Sequence, residues 1–451
     1  MSARVRRSVW SLGEGDETLL WYRRAVAELI RRPIEDPTSW RYLAGVHGYP
    51  DGRIPGWARD WWDQCQHQSW FFLPWHRGYL AHFEAIVADA VAGLAGPADW
   101  ALPYWDYSEP LSANPAARRM PAEFLDRQVN GSPNALWAPR ARSTNGDFGL
   151  EDWMVSLDAL RFANFTDAAV NRISGFGGPV TGFHAGGGDN GALESLPHNL
   201  LHVQIGGRNG YMSFPDTAAL DPIFWIHHCN IDRLWEVWRN QGPRFRVPAA
   251  PQWLSGVVFQ LRQADGGVYR FTSEDMLDTT DILHGYRYDG VPVAGRPPAE
   301  EFAMAEEMMA DSRRLELAGA SEGPVRLEGD VTRAQVTLAP RMDSFSFTES
   351  ALPTPEHVYL RLENITGSGA PGDFKVYIDM PGDAEEPRMI GVMTTFGLER
   401  ASRPDSGHGG MSEVFEITEH AERLGITEGT VDRLQVSFVR EAPPPSEEET
   451  R

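Results

Sequence analysis

The placement of histidine constrains this chain more than any other feature. A Cys-x-His at Cys65 and His67 is followed by His76, and a second stretch carries His198, His202 and the run DPIFWIHHCNIDRLW around His227 and His228. Read together, these are two pockets of three imidazoles each, the donor set of a coupled pair of metal ions. Any fold available to the chain must therefore bring distant helix faces to a common point.

Helix geometry places most of these side chains. His198 and His202 are four residues apart, so on a helix they share one face and can share a metal. Ser195 and Pro197 mark a helix start just upstream. Asn199 follows His198, so the general base of the zinc-protease pattern H-E-x-x-H is absent. The plainer alternative is a pair of solvent-facing or core histidines. Further on, Asp221-Pro222 reads as an N-cap followed by proline at the first helical position, opening a helix that runs through Trp235. Phe224, His228, Asp232 and Trp235 fall along one stripe of it, so Asp232 is expected to orient His228. His227 points about a hundred degrees away, and periodicity alone does not choose between the two histidines.

In the first half, His67 and His76 are nine residues apart and would lie on opposite faces of one continuous helix. Pro74 resolves this by ending one segment and opening another, which leaves His67 at a loop or helix end and His76 in the first turn of the next helix. The candidate third donor is His47 in AGVHGYP; His82, six residues past His76, points elsewhere. Neutral imidazole suits copper, zinc and iron alike. Six histidines without a carboxylate favour copper over a di-iron bundle, whose Glu-x-x-His pairs are missing.

A length of 451 residues suggests two or three domains with a large core. The formal charge of -22 argues against nucleic acid or an anionic membrane surface as partner and leaves room for a small neutral ligand. Two cysteines, Cys65 and Cys229, exclude a disulfide framework. Gly, Glu and Asp stand where a signal peptide would place its apolar stretch, and no window is apolar enough to span a bilayer. The expectation is a soluble, cytoplasmic protein, with export alongside a partner left open.

Composition divides the chain. Residues 1–290 read as mainly α and Trp-rich, with helical spacing in DETLLWYRRAVAELIRR and in HRGYLAHFEAIVADAVAGLAG, and with Gly/Asn/Pro loops such as GFGGPVTGFHAGGGDNGALES that packing or metal must fix. Residues 291–335 read as a linker containing one helix, Glu300 to Arg314. From 336 to 441, short alternating runs (AQVTLAP, HVYLRLENI, FKVYIDM, RMIGVM, VFEITEH, RLQVSFV) predict an all-β sandwich or barrel, and 442–451 is a charged tail.

The strings HQSWFFLPWHRGYLAHFE, LPYWDYS, PHNLLHVQIGG and DPIFWIHHCNIDRLW resemble the tyrosinase and polyphenol oxidase family of type 3 copper proteins over roughly residues 5–290. The resemblance implies a four-helix bundle housing two copper ions, with His47, His67 and His76 on the first and His198, His202 and His228 on the second. His227 would then stand beside the substrate. The implied activity uses dioxygen to oxidise small phenols: o-diphenols to o-quinones and, in true tyrosinases, monophenols by o-hydroxylation. Cys65 is similar to the cysteine that fungal members join to the histidine ring, here His67, as a thioether, where the plain alternative is a buried thiol; Cys229 is expected to be core. Glu194 and Asn199 resemble the family pair that holds a water for deprotonating phenols; alternatively, Glu194 only favours the helix start and Asn199 binds a loop. Phe224 is expected to stack on ligand rings, and Met212 to Thr217 to form the mouth of the site.

Tyr286-Arg287-Tyr288 resembles the family's Tyr-x-Tyr, on which Arg6 or Arg7 would pack. GDFKVYIDMP at 372–381 is similar to the KFDVYIN stretch of the plant C-terminal domain, which covers the copper site until a protease cuts the linker. The competing view of that domain is a stabilising role. Two other functions share these motifs: an o-aminophenol oxidase, and a haemocyanin-like dioxygen carrier.

Overall fold

In the computed structural model of the chain, the described residues are 3–50, 54–141, 143, 146–166, 175–183, 186, 188–297, 317–338, 358–379, 387–404, 409–426 and 431–441. The helix expected at Glu300 to Arg314 and the charged tail lie outside them.

Five helices frame the first part. α1 (Thr18–Arg31) buries Leu19, Tyr22, Ala25, Val26 and Leu29, the one-sided spacing of a helix laid on a core. α2 (Trp40–His47) starts at Ser39, whose hydroxyl accepts from the Tyr42 N–H at 3.1 Å, and ends on His47. α3 (Phe72–Gly93) is buried on nearly every side and forms the central column. Pro74 sits inside its first turn rather than ahead of it, where the missing N–H costs nothing because the first four amides of a helix have no intrahelical partner. α4 (Leu200–Gly206) is entered through a wider turn, Glu194–Asn199, broken at the extended Leu196. α5 (Pro222–Arg239) begins as the sequence predicts, with the Asp221 carboxylate accepting from the Ile223 N–H at 3.0 Å and Pro222 in the first position.

Aromatic faces join these helices. Phe83 of α3 lies flat on Trp225 of α5, with ring centroids 3.5 Å apart, and the Tyr22 hydroxyl of α1 donates to the Pro222 carbonyl. Residues 175–183 of the Gly-rich stretch are held by packing, with Phe176 stacked on Trp238 at 4.5 Å and the Pro179 carbonyl accepting from the Trp70 amide. Strand Arg4–Arg6 runs parallel to strand Tyr286–Tyr288 and closes the helical part on itself. Of the two candidate arginines, Arg6 packs on the motif: its guanidinium lies 3.4 Å from the Tyr286 ring centroid and bonds Glu84, Asp232 and the Tyr288 hydroxyl.

The C-terminal part is β-rich. Strands Arg388–Met393, Asp373–Asp379, Arg433–Glu441, Val331–Leu338 and Gly319–Ser321 form, in that spatial order, a five-stranded antiparallel sheet, and Tyr359–Ile365 pairs with Met411–Glu416 in a second sheet. Leu360 and Phe415 of the pair share a core with Val376, Ile378, Leu434, Val436 and Phe438 of the larger sheet. Two strands, Gly319–Ser321 and the start of Val331–Leu338, fall within the stretch read as linker. They escape sequence reading because only every second residue of Val331–Leu338 turns inward, and even those are mostly half-buried. Val392, on the edge strand Arg388–Met393, and Phe396, just after it, turn their side chains into the core of the helical part.

Candidate metal centre

Two groups of buried imidazoles meet where α2, α3, α4 and α5 converge. His47, His67 and His76 form one group; His198, His202, His227 and His228 form the other; within each, potential ligand nitrogens lie within 4.8 Å of one another. His76 and His228 join the groups, with rings stacked 4.5 Å apart.

Local hydrogen bonds aim four of the rings. His47 Nδ1 donates to the Pro215 carbonyl at 2.9 Å, His76 Nδ1 to Phe72 O at 2.8 Å, His202 Nδ1 to Met212 O at 2.8 Å and His198 Nδ1 to Asn199 Oδ1 at 2.8 Å. A proton on Nδ1 leaves the Nε2 lone pair free to point inward. Gly48 makes the first of these bonds possible, since a Cβ there would stand 2.7 Å from the same Pro215 carbonyl. The expected mouth segment, Met212 to Thr217, thus holds two rings from behind, and its outer side borders a cleft shared with Thr395, Leu398 and Arg400.

The residues fit a pair of cations. Burial holds every one of these imidazoles below the ordinary histidine value, His47 and His198 at about 3, so all are neutral donors near pH 7. Nε2 of His47 and His76 and both nitrogens of His67 are buried without a hydrogen-bond partner. His228 Nε2 approaches His198 Nε2 at 3.2 Å and His202 Nε2 at 3.4 Å, so lone pairs converge on one point. An uncompensated buried polar group costs about 1–3 kcal/mol, and a metal ion removes that cost for several nitrogens at once. His228 is therefore the member of the HH pair aimed at its partners. His227 stacks at 5.4 Å on His198 and packs against Tyr107.

Aromatic rings wall the centre. Phe224 lies 4.1 Å from His228 and 4.9 Å from His47. Phe72, which sequence reasoning missed, lies 4.7 Å from His76 and 4.8 Å from His198. Phe396, from the β part, stacks on His202 at 4.1 Å and stands 5.7 Å from His67; nothing in its sequence neighbourhood marks it.

Glu194 and Asn199 line a small, partly enclosed space with His67, Asn190 and Phe396, with room for about one water molecule. Both Glu194 carboxylate oxygens accept from the Gln68 N–H, at 2.8 and 2.9 Å. Burial pushes the Glu194 carboxyl up to about 8, with Glu413 adding to the rise. Cys65 is buried, its thiol pushed up to about 12, with an Arg400 nitrogen 3.9 Å from the sulfur. Cys229 is core.

Asp232 departs from expectation. Its carboxylate is taken by Arg77 at 2.6 Å, by the Tyr286 and Tyr288 hydroxyls at 2.5 and 2.6 Å and by Arg6, while His228 Nδ1 has no hydrogen-bond partner. Four donor residues from elsewhere in the chain outcompete a neighbour one helical turn away. Asp232 therefore ties the terminal clasp to α5 and does not steady the His228 ring.

The β part is fastened over this centre by ionic contacts that the sequence did not signal. Arg400 pairs with Asp63 at 2.7 Å and Asp216 at 3.3 Å, Arg403 with Asp216 at 3.2 Å, and Arg361 with Asp189 at 2.9 Å.

A two-centre imidazole site between helices, covered by a β-rich part, defines a dinuclear metalloprotein. The profile of the common central domain of tyrosinase matches residues 37–241, and a domain of unknown function matches 314–451. The chain is 36% identical to a tyrosinase of Hahella sp., over 93% of this chain and 91% of that one. It is 28% identical to a chloroplastic polyphenol oxidase of Malus domestica over 69% of this chain, and it spans only 55% of that longer protein. Among solved structures it shares the fold of a recombinant latent aurone synthase (TM-score 0.64, 21% identity, 99% of this chain and 88% of that one) and of latent apple tyrosinase (TM-score 0.59, 20% identity, 98% and 94%). The chain belongs to the tyrosinase family, whose cofactor is a pair of copper ions, and is an enzyme of the tyrosinase and catechol oxidase type acting on small phenols. Among the described residues, no helix is long and apolar enough to cross a membrane.

Proposed function

We propose that His47, His67 and His76 hold one copper ion and His198, His202 and His228 the other, and that the chain both oxidises o-diphenols to o-quinones and hydroxylates monophenols. The observation that carries this reading is the pair of orphaned, neutral imidazole groups beside Glu194. Copper, when bound, supplies the activation of dioxygen. The protein supplies the rest. Phe72 and Phe224 brace the rings, and the four Nδ1 bonds keep His47, His76, His198 and His202 aimed. Glu194, through a water in the space it shares with Asn199, takes the phenolic proton. A free phenol loses its proton near pH 10, and a carboxyl raised to about 8 is a better matched acceptor than an ordinary one. His227, packed on His198, lies beside the ligand set and limits how an aromatic substrate can tilt.

Phe396 is the plug. Its ring covers His202 from the side left open by the helices, so a phenol ring cannot reach the centre while the β part is docked. Residues 1–290 are then the catalytic unit, 291–335 contains the connection a protease would cut, and the β strands up to 441 form a two-sheet sandwich acting as lid. A thioether between Cys65 and His67 fits the burial of both residues. Mass spectrometry of the peptide holding both tests it: loss of two hydrogens supports the bond, and an alkylatable Cys65 rules it out.

Oxygen uptake by copper-loaded protein, intact and after cleavage beyond residue 290, tests the whole reading. Uptake with dopamine and tyramine that rises on cleavage is expected. Uptake with dopamine alone would reduce the activity to catechol oxidation, preference for 2-aminophenol would make the chain an o-aminophenol oxidase, and reversible oxygen binding without turnover would make it a carrier.

A further inference from the structure

Asn199 stands against the His198 imidazole, and its amide can face that ring in two ways. Oxygen toward Nδ1 fixes the ring proton there and leaves Nε2 bare; nitrogen toward Nδ1 favours the opposite tautomer, with a proton where a metal must bind. The partners of the amide decide which orientation is held. Asn199 Nδ2 donates to Asn190 Oδ1 at 3.2 Å and to Thr394 Oγ1 at 3.4 Å. Asn190 Nδ2 in turn donates to Glu413 Oε1 at 2.8 Å, and the Thr394 hydroxyl donates to the same oxygen at 3.2 Å. Both branches therefore run from His198 Nδ1–H through Asn199 and end on one carboxylate. Thr394 and Glu413 belong to the β part; Asn190, Asn199 and His198 belong to the helical part. His198, Asn199, Asn190, Thr394 and Glu413 are all buried, so water does not compete.

We propose that Glu413 is a positioning residue for the second metal. It is the terminal acceptor of a one-way hydrogen-bond relay that sets the Asn199 amide and, through it and alongside the Glu194 backbone carbonyl that also accepts from the ring, the tautomer of His198. The covering part thus has two separable effects: Phe396 blocks the centre, and Glu413 with Thr394 tightens one of its two metal positions. The relay rests on the ligand set proposed above. Partners behind a metal-bound histidine usually contribute about tenfold to a hundredfold in metal affinity, and Glu413 acts at one remove from such a partner.

The test follows copper content per chain during timed exposure of the full-length, copper-loaded protein to a chelator. Glu413→Leu removes the acceptor. Glu413→Gln keeps one, because its carbonyl oxygen can still receive the Asn190 and Thr394 donors. Wild type and Glu413→Gln should release both equivalents at matching rates, whereas Glu413→Leu should release one equivalent about tenfold faster and the other unchanged. Asn190→Leu breaks one branch from the helical side, should speed the same equivalent, and serves if Glu413→Leu does not fold. Equal retention in wild type, Glu413→Leu and Asn190→Leu would overturn the relay, as would faster loss of both equivalents together, the mark of a loosened interface alone. Failure of the wild type to hold two coppers would instead remove the ligand set itself.

Discussion

Phe396 and Glu194 face the same centre from opposite parts of the chain, and each carries a separable piece of its behaviour. Phe396 lies over His202 at 4.1 Å between centroids. Replacing it with alanine should raise diphenol-dependent oxygen uptake of the intact chain toward the cleaved level, while leaving the uptake of cleaved protein unchanged. Glu194 is buried and raised to about 8 beside the space shared with Asn199. Glu194→Gln removes the proposed proton acceptor without removing volume. Monophenol turnover should fall on the order of a hundredfold, and diphenol turnover far less, because a catechol presents a second, hydrogen-bonding hydroxyl. Equal losses with tyramine and dopamine would show that Glu194 merely supports the fold through its bonds to the Gln68 amide.

At the scale of elements, α3 and α5 carry two jobs on different faces. His76 and His228 turn toward the centre, and Arg77 and Asp232 turn toward the clasp formed by strands Arg4–Arg6 and Tyr286–Tyr288. Arg6 is fully buried between Glu84 and Asp232. Removing one partner of such a network leaves buried charge uncompensated, which typically costs about 3–5 kcal/mol. Arg6→Ala should therefore lower the unfolding free energy read from urea titration by that order, and reduce copper retention only as a consequence of unfolding. α4 is short and depends on neighbours for its position, since Met212 holds the back of His202 and Asn199 the back of His198.

The whole molecule adds a pH dependence to the seam between its parts. Glu413 is buried there, faced by Asp189 and close to Glu194, and its carboxyl is raised from 4.5 to about 7, chiefly by burial. A carboxyl whose folded value lies above its unfolded value contributes stability in full below about pH 4.5 and loses it as pH rises through 7. Between pH 5.5 and 8 this one group should cost the intact chain about 2 kcal/mol. Urea midpoints at the two pH values should differ by more in wild type than in Glu413→Gln, which cannot ionise. An unchanged difference would mean that Glu413 is solvated at the seam.

Periodicity and spacing determined a good deal: the helix cap at Asp221, the shared face of His198 and His202, the likeness of four long strings to one family, and the β character of the C-terminal part. These are local facts, because a helix or strand repeats over a few residues and a ligand pair one turn apart is written in its spacing. Which of His227 and His228 converges on its neighbours, which side chains claim Asp232, and which residue of the β part lies over the centre were decided only in the tertiary structure. A period fixes the face on which a side chain sits but not what stands opposite it. Asp232 meets Arg6 and His202 meets Phe396 across about two hundred residues of chain, and no local pattern couples positions that far apart.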